Sequence, residues 1–358
     1  MEAQLHKIEN KCLAGERITP AEALALYHHA PLWLLSRLAT ERRRGLNGNM
    51  LFYNRNFHLE PTNICKFNCS FCSYRKGAGS DEAWDHSIAE MLDIVRAREQ
   101  SGATEVHIVG GVHPDHGLEF YLELIAGVKA LLPQATIKAF TAIELSDMIR
   151  GAGLTLEDGL KKLIAAGMGA IPGGGAEIFD EEIRRKICPD KGSTEEWFAV
   201  HDAAHRLGVK SNATMLYGHI EGIEQRIMHL DMLREQQDKT GGFNAFIPLK
   251  FRSSGNSLSH LGEVSIVEDM RMLALSRLML DNIPHLKAYW VMYGKSTTEM
   301  ALSFGADDVD GTIEDSTKIY SMAGAEDRRP TITIAEIEQM AARAGLEAAE
   351  RDTNYNII

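Results

Sequence analysis

The sequence predicts an α/β fold, a closed (β/α)8 barrel preceded by a helical extension. Segments of strand character alternate with amphipathic helical segments along most of the chain, and glycine-rich or polar residues follow most of the strands. A six-strand open barrel remains the alternative, because the last two strands have the weakest patterns. The eight predicted strands cover residues 51–60, 105–111, 136–143, 169–177, 210–217, 244–249, 286–292 and 307–312.

The intervening segments have helical periodicity. Residues 1–50 are predicted to be a helical extension that caps the barrel, and the barrel itself is predicted to occupy residues 51–358. Thr19 before Pro20 has the pattern of a helix N-cap followed by proline at the first helical position. The remaining helices are predicted at residues 21–27, 32–44, 87–100, 118–131, 156–166, 194–207, 223–237, 267–282, 297–303 and 334–344.

The amino-acid composition and the net charge indicate which class of protein this is. The chain has 358 residues, 44% hydrophobic and 25% charged, which is typical of a folded globular protein. Its formal charge of −12 argues against a nucleic-acid partner. We find no signal peptide and no apolar run of the roughly 18 residues that a membrane span requires. The sequence therefore predicts a cytoplasmic protein, in which Cys12 and Cys188 are ordinary packing residues.

Three cysteines lie in one short loop, Cys65, Cys69 and Cys72, with the spacing C-x3-C-x2-C. A [4Fe–4S] cluster normally takes four thiolates, so three would leave one iron open to a small ligand that chelates through an amine and a carboxylate. A non-catalytic electron carrier would need a fourth cysteine close to this loop. The other alternative is a Cys3His zinc site completed by His58, His86 or His113.

The loop, with aromatic Phe71 before its last cysteine, resembles the radical S-adenosylmethionine (SAM) superfamily. The string HLEPTNICKFNCSFCSYRKG is similar to a branch that contains aminofutalosine synthases, dehypoxanthinylfutalosine cyclases and FO synthase subunits. The late segments FGADDVDGT and IYSMAGA are most similar to the aminofutalosine synthase family. Ser321 stands where that family's pattern has histidine, and LKFRSSGN replaces a proline-containing loop.

The resemblance implies a TIM-type radical SAM barrel that uses a [4Fe–4S] cluster and consumes SAM as a co-substrate. It implies that the 5′-deoxyadenosyl radical adds to the enolpyruvyl group of 3-[(1-carboxyvinyl)oxy]benzoate, which leads to 6-amino-6-deoxyfutalosine in menaquinone biosynthesis. The expected partners are this small aromatic dicarboxylate and a one-electron reductant such as flavodoxin or ferredoxin. A cyclase or an FO-synthase-type enzyme remains open within the same branch.

Several residues are predicted to bind SAM. By resemblance, Gly110-Gly111 contacts its methionine part, whereas a plain βα turn is the alternative. Glu177 follows three glycines and is predicted to accept from the ribose or the ammonium group. Asn212 and Thr214 share one face of a strand, which we expect to face the barrel interior. Phe71 is predicted to stack on the adenine.

The substrate is expected to contact residues near the mouth of the barrel. Arg75, Lys250 and Arg252 are candidates for binding its carboxylates, because a guanidinium matches a carboxylate in bidentate geometry. His58 and Tyr74 are further candidates for substrate contact. Three acids in residues 303–312 are predicted to face the substrate, although a metal site or a plain turn would fit; such a group needs a cation, a proton or hydrogen bonds to relieve its repulsion.

Overall fold

The computed structural model describes residues 2–313, 318–322, 324 and 330–358, and in this part of the chain eight parallel strand positions form a ring. The first position consists of β1 and β2, separated at Arg55. From β2 to β8 each strand pairs in parallel with the next along the chain, and β1 pairs with β9. The strands are β1 Met50–Asn54, β2 Asn56–Leu59, β3 Glu105–Ile108, β4 Thr136–Ala139, β5 Met168–Ile171, β6 Lys210–Tyr217, β7 Phe243–Lys250, β8 His285–Leu286, β9 Asp308–Gly311 and β10 Glu347–Glu350.

Backbone hydrogen bonds close the ring by joining β9, its last strand, to the segment after β8 on one side and to β1 on the other. The Ala288 amide donates to the Asp308 carbonyl over 2.8 Å, and the Thr312 amide donates to the Asn54 carbonyl over 3.1 Å. The predicted eight-strand TIM-type barrel is therefore confirmed, and the six-strand alternative is wrong. β10, which pairs with β1 on the outside of the ring, was not predicted.

Fifteen α-helices of the described residues surround or connect the strands. They are α1 Glu2–Leu13, α2 Pro20–His29, α3 Leu32–Asn47, α4 Ile88–Arg96, α5 Leu118–Leu131, α6 Ala142–Gly151, α7 Leu156–Ala166, α8 Glu181–Ile187, α9 Thr194–Arg206, α10 Ile223–Thr240, α11 Ile266–Met279, α12 Trp290–Tyr293, α13 Lys295–Ala301, α14 Ile319–Met322 and α15 Ile334–Arg343. No helix among the described residues has both the length and the apolar character needed to cross a membrane.

The second, third, fourth and seventh predicted strands each end several residues earlier in the structure than predicted, and for the third and the seventh the reason is the start of a helix. The third was expected to reach residue 143, but Thr141 caps α6 in a reciprocal capping box with Glu144. The seventh was expected to reach residue 292, but α12 begins at Trp290. In both places, apolar residues that fit a strand pattern belong to the first turn of a helix.

The N-terminal helices pack on the outside of the barrel. Thr19 and Glu22 form the capping box of α2, as the sequence indicated. α3 packs against α11, and α2 packs against α10 and α11. At the end of α3, the Asn47 amide donates to the Asp307 carboxylate over 2.9 Å, just before β9 begins. This contact lies at the end of the barrel opposite the cysteine loop.

Alternation along the strands separates an apolar face from a polar one. Phe57, Val106 and Ile137 are buried in the layer between strands and helices. Their neighbours point to the other face of the sheet, and His58, His107 and Lys138 are directly paired across β2, β3 and β4. The barrel interior is therefore lined by a row of polar side chains below the cysteine loop.

Candidate active site

The cysteine loop follows β2 at the carboxyl end of the barrel. Its backbone is held on the turn after β3, where the Gly111 amide donates to the Thr62 carbonyl over 2.7 Å and the Lys66 amide donates to the Val112 carbonyl over 3.0 Å. Farther along, the Ser70 amide donates to the Ile187 carbonyl over 2.7 Å at the end of α8. The backbone of the loop is thus hydrogen-bonded to two other connections of the barrel, the turn after β3 and the end of α8.

The three loop thiols are partly exposed and close enough to influence one another. Burial raises the pKa of Cys65 and of Cys72, while the neighbouring Cys188 thiol and then burial raise that of Cys69. The Lys191 ammonium opposes each of these shifts, because a nearby positive charge favours thiolates. Three clustered sulfur donors beside a cation fit an iron–sulfur cluster.

Cys188 lies beside the loop rather than in a remote part of the core. It caps the end of α8 and is 2% exposed, and the Ser70 amide beside Cys69 donates to the carbonyl of the preceding residue, Ile187, so that the two thiols perturb each other's pKa. The interpretation of Cys188 as an ordinary packing residue missed this proximity, because Cys188 and Cys69 lie far apart in the sequence.

The glycines after β3 and β5 are explained by close backbone contacts. A Cβ on Gly111 would lie 2.2 Å from the Ile64 carbonyl oxygen, and one on Gly110 would lie 3.0 Å from that of Thr62. A Cβ on Gly173 would lie 2.2 Å from the Asn212 carbonyl oxygen. Gly173 also has a φ of +90°, which favours glycine. The structure places protein backbone against these glycines, and their contact with SAM remains a prediction.

Glu177 is engaged by a cation of the protein. Its Oε1 accepts from Lys191 Nζ over 2.6 Å, and both side chains are largely buried. Burial opposes the charge on Lys191, but Glu177 and the nearby thiols hold the pKa of this lysine above its ordinary value. The same ammonium lies 5.8 Å from the centre of the Phe71 ring. Lys191 therefore connects the cysteine loop with two of the predicted SAM-binding residues.

A cavity of 240 Å³ occupies the barrel interior below Cys72. His58, Tyr74, Gly110, Asn212 and Thr214, all predicted from the sequence to contact SAM or substrate, line it. The other polar or charged lining residues are Cys72, Glu105, His107, Lys138, Thr141, Lys287, Tyr289 and Asp310.

Opposite charges are paired at the floor of this inner cavity. Lys138 Nζ lies 2.6 Å from Glu105, and Lys287 forms an ion pair with Asp310. Burial opposes ionisation of Asp310, but Lys287 holds its pKa at about 2. Arg351 contacts Asp308 over 2.6 Å. The predicted repulsion among the late acids is therefore relieved by lysine and arginine, and a metal ion is not required for it.

The histidines of the inner cavity are neutral. Burial lowers the pKa of His58 to about 4 and holds that of His107 well below its ordinary value. Their rings lie 4.4 Å apart between centroids. His107 Nε2 is buried and has no hydrogen-bond partner among the residues that the structure describes. The cavity thus offers an uncharged polar group to a ligand.

A second cavity, of 150 Å³, lies closer to solvent and shares Cys72, Tyr74 and Leu249 with the inner one. It is also lined by Phe71, Glu177, Lys250 and Arg252. The structure therefore brings together residues predicted for SAM and residues predicted for the substrate.

The basic residues predicted to bind carboxylates already have protein partners. Lys250 Nζ lies 2.9 Å from Asp269, and Arg252 lies 3.2 Å from Glu263. Arg75 lines a third cavity with Cys69, and its Nε lies 3.3 Å from the Cys65 carbonyl oxygen. None of the three is among the residues that line the inner cavity, and their contact with the substrate remains a prediction.

Sequence reasoning missed several residues of the site. Lys191 follows α8 in a charged loop with no motif to distinguish it. Glu144 accepts from the Gly110 amide over 3.1 Å, and burial raises its pKa to about 7. Three further residues lie at strand positions whose side chains point into the barrel, namely His107, Lys138 and Lys287. The alternation of side chains along the strand was the one signal that could have identified them.

Comparison with known proteins agrees with this geometry. Residues 59–233 match the model of the radical SAM superfamily, and residues 240–358 match that of the CofH/MqnC C-terminal region. The chain is 40% identical to an aminodeoxyfutalosine synthase of Thermus thermophilus, over 99% of this chain and 96% of that protein. The chain belongs to the radical SAM superfamily. Members of this superfamily use a [4Fe–4S] cluster and SAM, and the cysteine loop described above has the donor set for that cluster.

Other relatives lie in the same branch of the superfamily. The chain is 38% identical to an aminodeoxyfutalosine synthase of Streptomyces coelicolor, covering 100% of this chain and 95% of the relative. It is 36% identical to a cyclic dehypoxanthine futalosine synthase of the same organism, covering 99% and 88%. Methylornithine synthase has the same fold, with a TM-score of 0.76 at 19% identity over 95% of this chain and 97% of that structure.

Proposed function

We propose that this radical SAM enzyme is an aminodeoxyfutalosine synthase. It would join the 5′-deoxyadenosyl group of SAM to the enolpyruvyl group of 3-[(1-carboxyvinyl)oxy]benzoate and so form 6-amino-6-deoxyfutalosine for menaquinone biosynthesis. The observation that carries the proposal is the similarity to two such synthases, at 40% and 38% identity, along essentially the whole chain.

Cys65, Cys69 and Cys72 would hold the cluster, which when bound supplies the electron that cleaves SAM into methionine and a 5′-deoxyadenosyl radical. The Lys191 ammonium would favour the thiolate state of these ligands. Phe71 and Glu177 line the outer cavity and would orient the adenosyl and methionine parts of SAM. Gly110 lines the inner cavity, which shares Cys72 with the outer one, and Gly110 and Gly111 would present backbone groups to SAM from that side.

The inner cavity would take the aromatic substrate. Ile247, Leu249 and Tyr289 offer apolar area to its ring. His107 Nε2 is buried without a partner and would bond a polar atom of the substrate, which offsets the cost of its desolvation. Because the cavity is enclosed by the barrel, it would also keep water from a reactive intermediate.

The two substrate carboxylates need cations. Lys138 and Lys287 are inside the cavity, and a carboxylate there would share them with Glu105 and Asp310. Lys250 and Arg252 remain candidates for a carboxylate that projects toward the outer cavity, and Arg75 for one that reaches the third cavity. His58, neutral at physiological pH, would donate or accept a hydrogen bond without adding charge.

The remaining proposals concern the cellular setting. A one-electron reductant such as flavodoxin or ferredoxin would reach the cluster from the loop side, where the cysteines are partly exposed. A reducing cytoplasm suits an oxygen-sensitive cluster. The net charge of −12 gives no support to a nucleic-acid partner.

Anaerobic turnover with 3-[(1-carboxyvinyl)oxy]benzoate, SAM and a strong reductant tests the proposal. We expect a product in which the adenosyl group is covalently attached to the substrate carbon skeleton, identified by mass spectrometry. C72S, which removes one thiolate, is the control and should give no adduct. Free 5′-deoxyadenosine without an adduct would overturn the assignment in favour of hydrogen abstraction, as expected of a cyclase.

A further inference from the structure

Cys69 and Cys188 are neighbours in the fold, although only Cys69 belongs to the cysteine loop. The backbone shows this proximity directly, because the Ser70 amide, next to Cys69, donates over 2.7 Å to the carbonyl of Ile187, next to Cys188. The two side chains are also close enough for each thiol to perturb the pKa of the other. Two cysteines can be joined only if their backbones lie within about 7 Å. Here the segment that contains Cys69 crosses the segment that contains Cys188, and the backbone hydrogen bond between them holds the two cysteines close together.

The two thiols differ in access to solvent. Cys69 lines an open cavity of 380 Å³, together with Asn68, Ser70 and Arg75. Cys188 is 2% exposed, and its amide is bonded to the Arg184 carbonyl over 2.8 Å at the end of α8. An accessible cysteine beside a buried partner is the arrangement in which the first reacts with an oxidant and the second resolves the product.

We propose that Cys69 and Cys188 form an intramolecular disulfide when the cluster is absent and a small-molecule disulfide, such as oxidised glutathione, is present. The Cys69 thiol loses its proton and attacks one sulfur of the oxidant, which gives a mixed disulfide and releases the other half of the oxidant as a thiolate that takes up a proton. The Cys188 thiol then loses its proton and attacks the Cys69 sulfur, releasing the second small thiol. Two protein thiols are oxidised and one small disulfide is reduced to two thiols.

The consequence is a reversible block on cluster assembly. The disulfide uses one of the three predicted cluster ligands, so iron and sulfide can be loaded only after reduction. It also protects Cys69 from irreversible oxidation to sulfinic acid. The disulfide forms in the cluster-free loop and does not involve the organic substrate, so its test is independent of the test of the proposed reaction.

The experiment uses the full-length chain, stripped of metal under anaerobic conditions, exposed to oxidised glutathione and then to an alkylating agent. We expect non-reducing peptide mass spectrometry to show one dominant link between the peptides that contain Cys69 and Cys188. C12S, which removes a cysteine outside the loop, should give the same link. C188S and C188A should instead retain glutathione on Cys69.

A second measurement separates a disulfide partner from a cluster ligand. C188S that has not been oxidised should bind as much iron as the wild type after anaerobic reconstitution, whereas oxidised wild type should bind iron only after treatment with a thiol reductant. A dominant link of Cys69 to Cys65 or Cys72, or stable glutathione on Cys69 of the wild type, would overturn the proposal. Loss of iron in unoxidised C188S would also overturn it, because Cys188 would then ligate the cluster.

Discussion

Gly111→Ala tests whether the paired glycines position the cysteine loop. In the structure, a Cβ at this position would lie 2.2 Å from the Ile64 carbonyl oxygen and 2.7 Å from its carbonyl carbon. Both atoms are backbone, so no rotamer change can relieve the overlap. The peptide unit that must move is the one that joins Ile64 to Cys65, and the first cluster ligand would move with it.

The magnitude follows from the size of that overlap. Restoring an ordinary contact requires a displacement of roughly 1 Å, and overpacking of this kind costs about 2 kcal/mol. At the roughly 2 °C per kcal/mol of a large domain, the melting temperature of the cluster-free protein should fall by about 4 °C. Gly110→Ala should cost less, because its Cβ would lie 3.0 Å from the Thr62 carbonyl oxygen.

Gly79→Ala is the matched control. Gly79 is exposed, lies outside the helices and strands, and does not have a left-handed φ, and a Cβ there would meet no atom within 4 Å. We expect the unfolding free energy of G79A to lie within about 0.5 kcal/mol of that of the wild type. G111A should also bind less iron on reconstitution. If G111A melted as the wild type does and bound a full complement of iron, the glycine would serve SAM alone and this reasoning would be refuted.

Three further predictions concern charge and ligation. Burial raises the pKa of Glu144 to about 7 in the folded chain, whereas the unfolded chain loses this proton above about pH 4.5. The free energy of unfolding should therefore fall by about 3 kcal/mol as the pH rises from about 4.5 to about 7. E144Q should remove this fall in denaturant titrations at about pH 5 and about pH 8; an unchanged pH dependence would contradict it. K138M should lower the unfolding free energy by about 3 kcal/mol or more, because Glu105 is left charged in the interior, and K138M/E105L should recover much of the loss. C72S should abolish the visible absorption of the reconstituted cluster whereas C12S should not, and equal spectra would exclude Cys72 as a ligand.

The strand and helix order could be predicted because it depends on local patterns. Capping residues such as Thr19 and alternation within the strands are visible in a few consecutive residues. The early helix starts at Ala142 and Trp290 were missed, since apolar residues at the first turn of a helix fit a strand equally well. β10 was missed because its pairing with β1 joins opposite ends of the chain.

Site residues could be identified from the sequence where they belong to a short motif. Phe71 and Glu177 were named from motifs and line the same cavity. Lys250 and Arg252 were named for their charge, but only the structure shows that Asp269 and Glu263 already engage them. A charge in a sequence does not reveal its partner, because ion pairs form between distant segments.

The sequence by itself determined the three-cysteine loop and the order of strands and helices, because spacing and periodicity are properties of neighbouring residues. Tertiary structure alone decided that Cys188 meets Cys69, that Lys191 joins Glu177 to the loop, and that Lys138 and Lys287 lie at the floor of the cavity. The physical reason is that barrel closure fixes which βα connections meet at one end and which inward side chains share a layer. Those contacts depend on the register between strands, which local patterns do not encode.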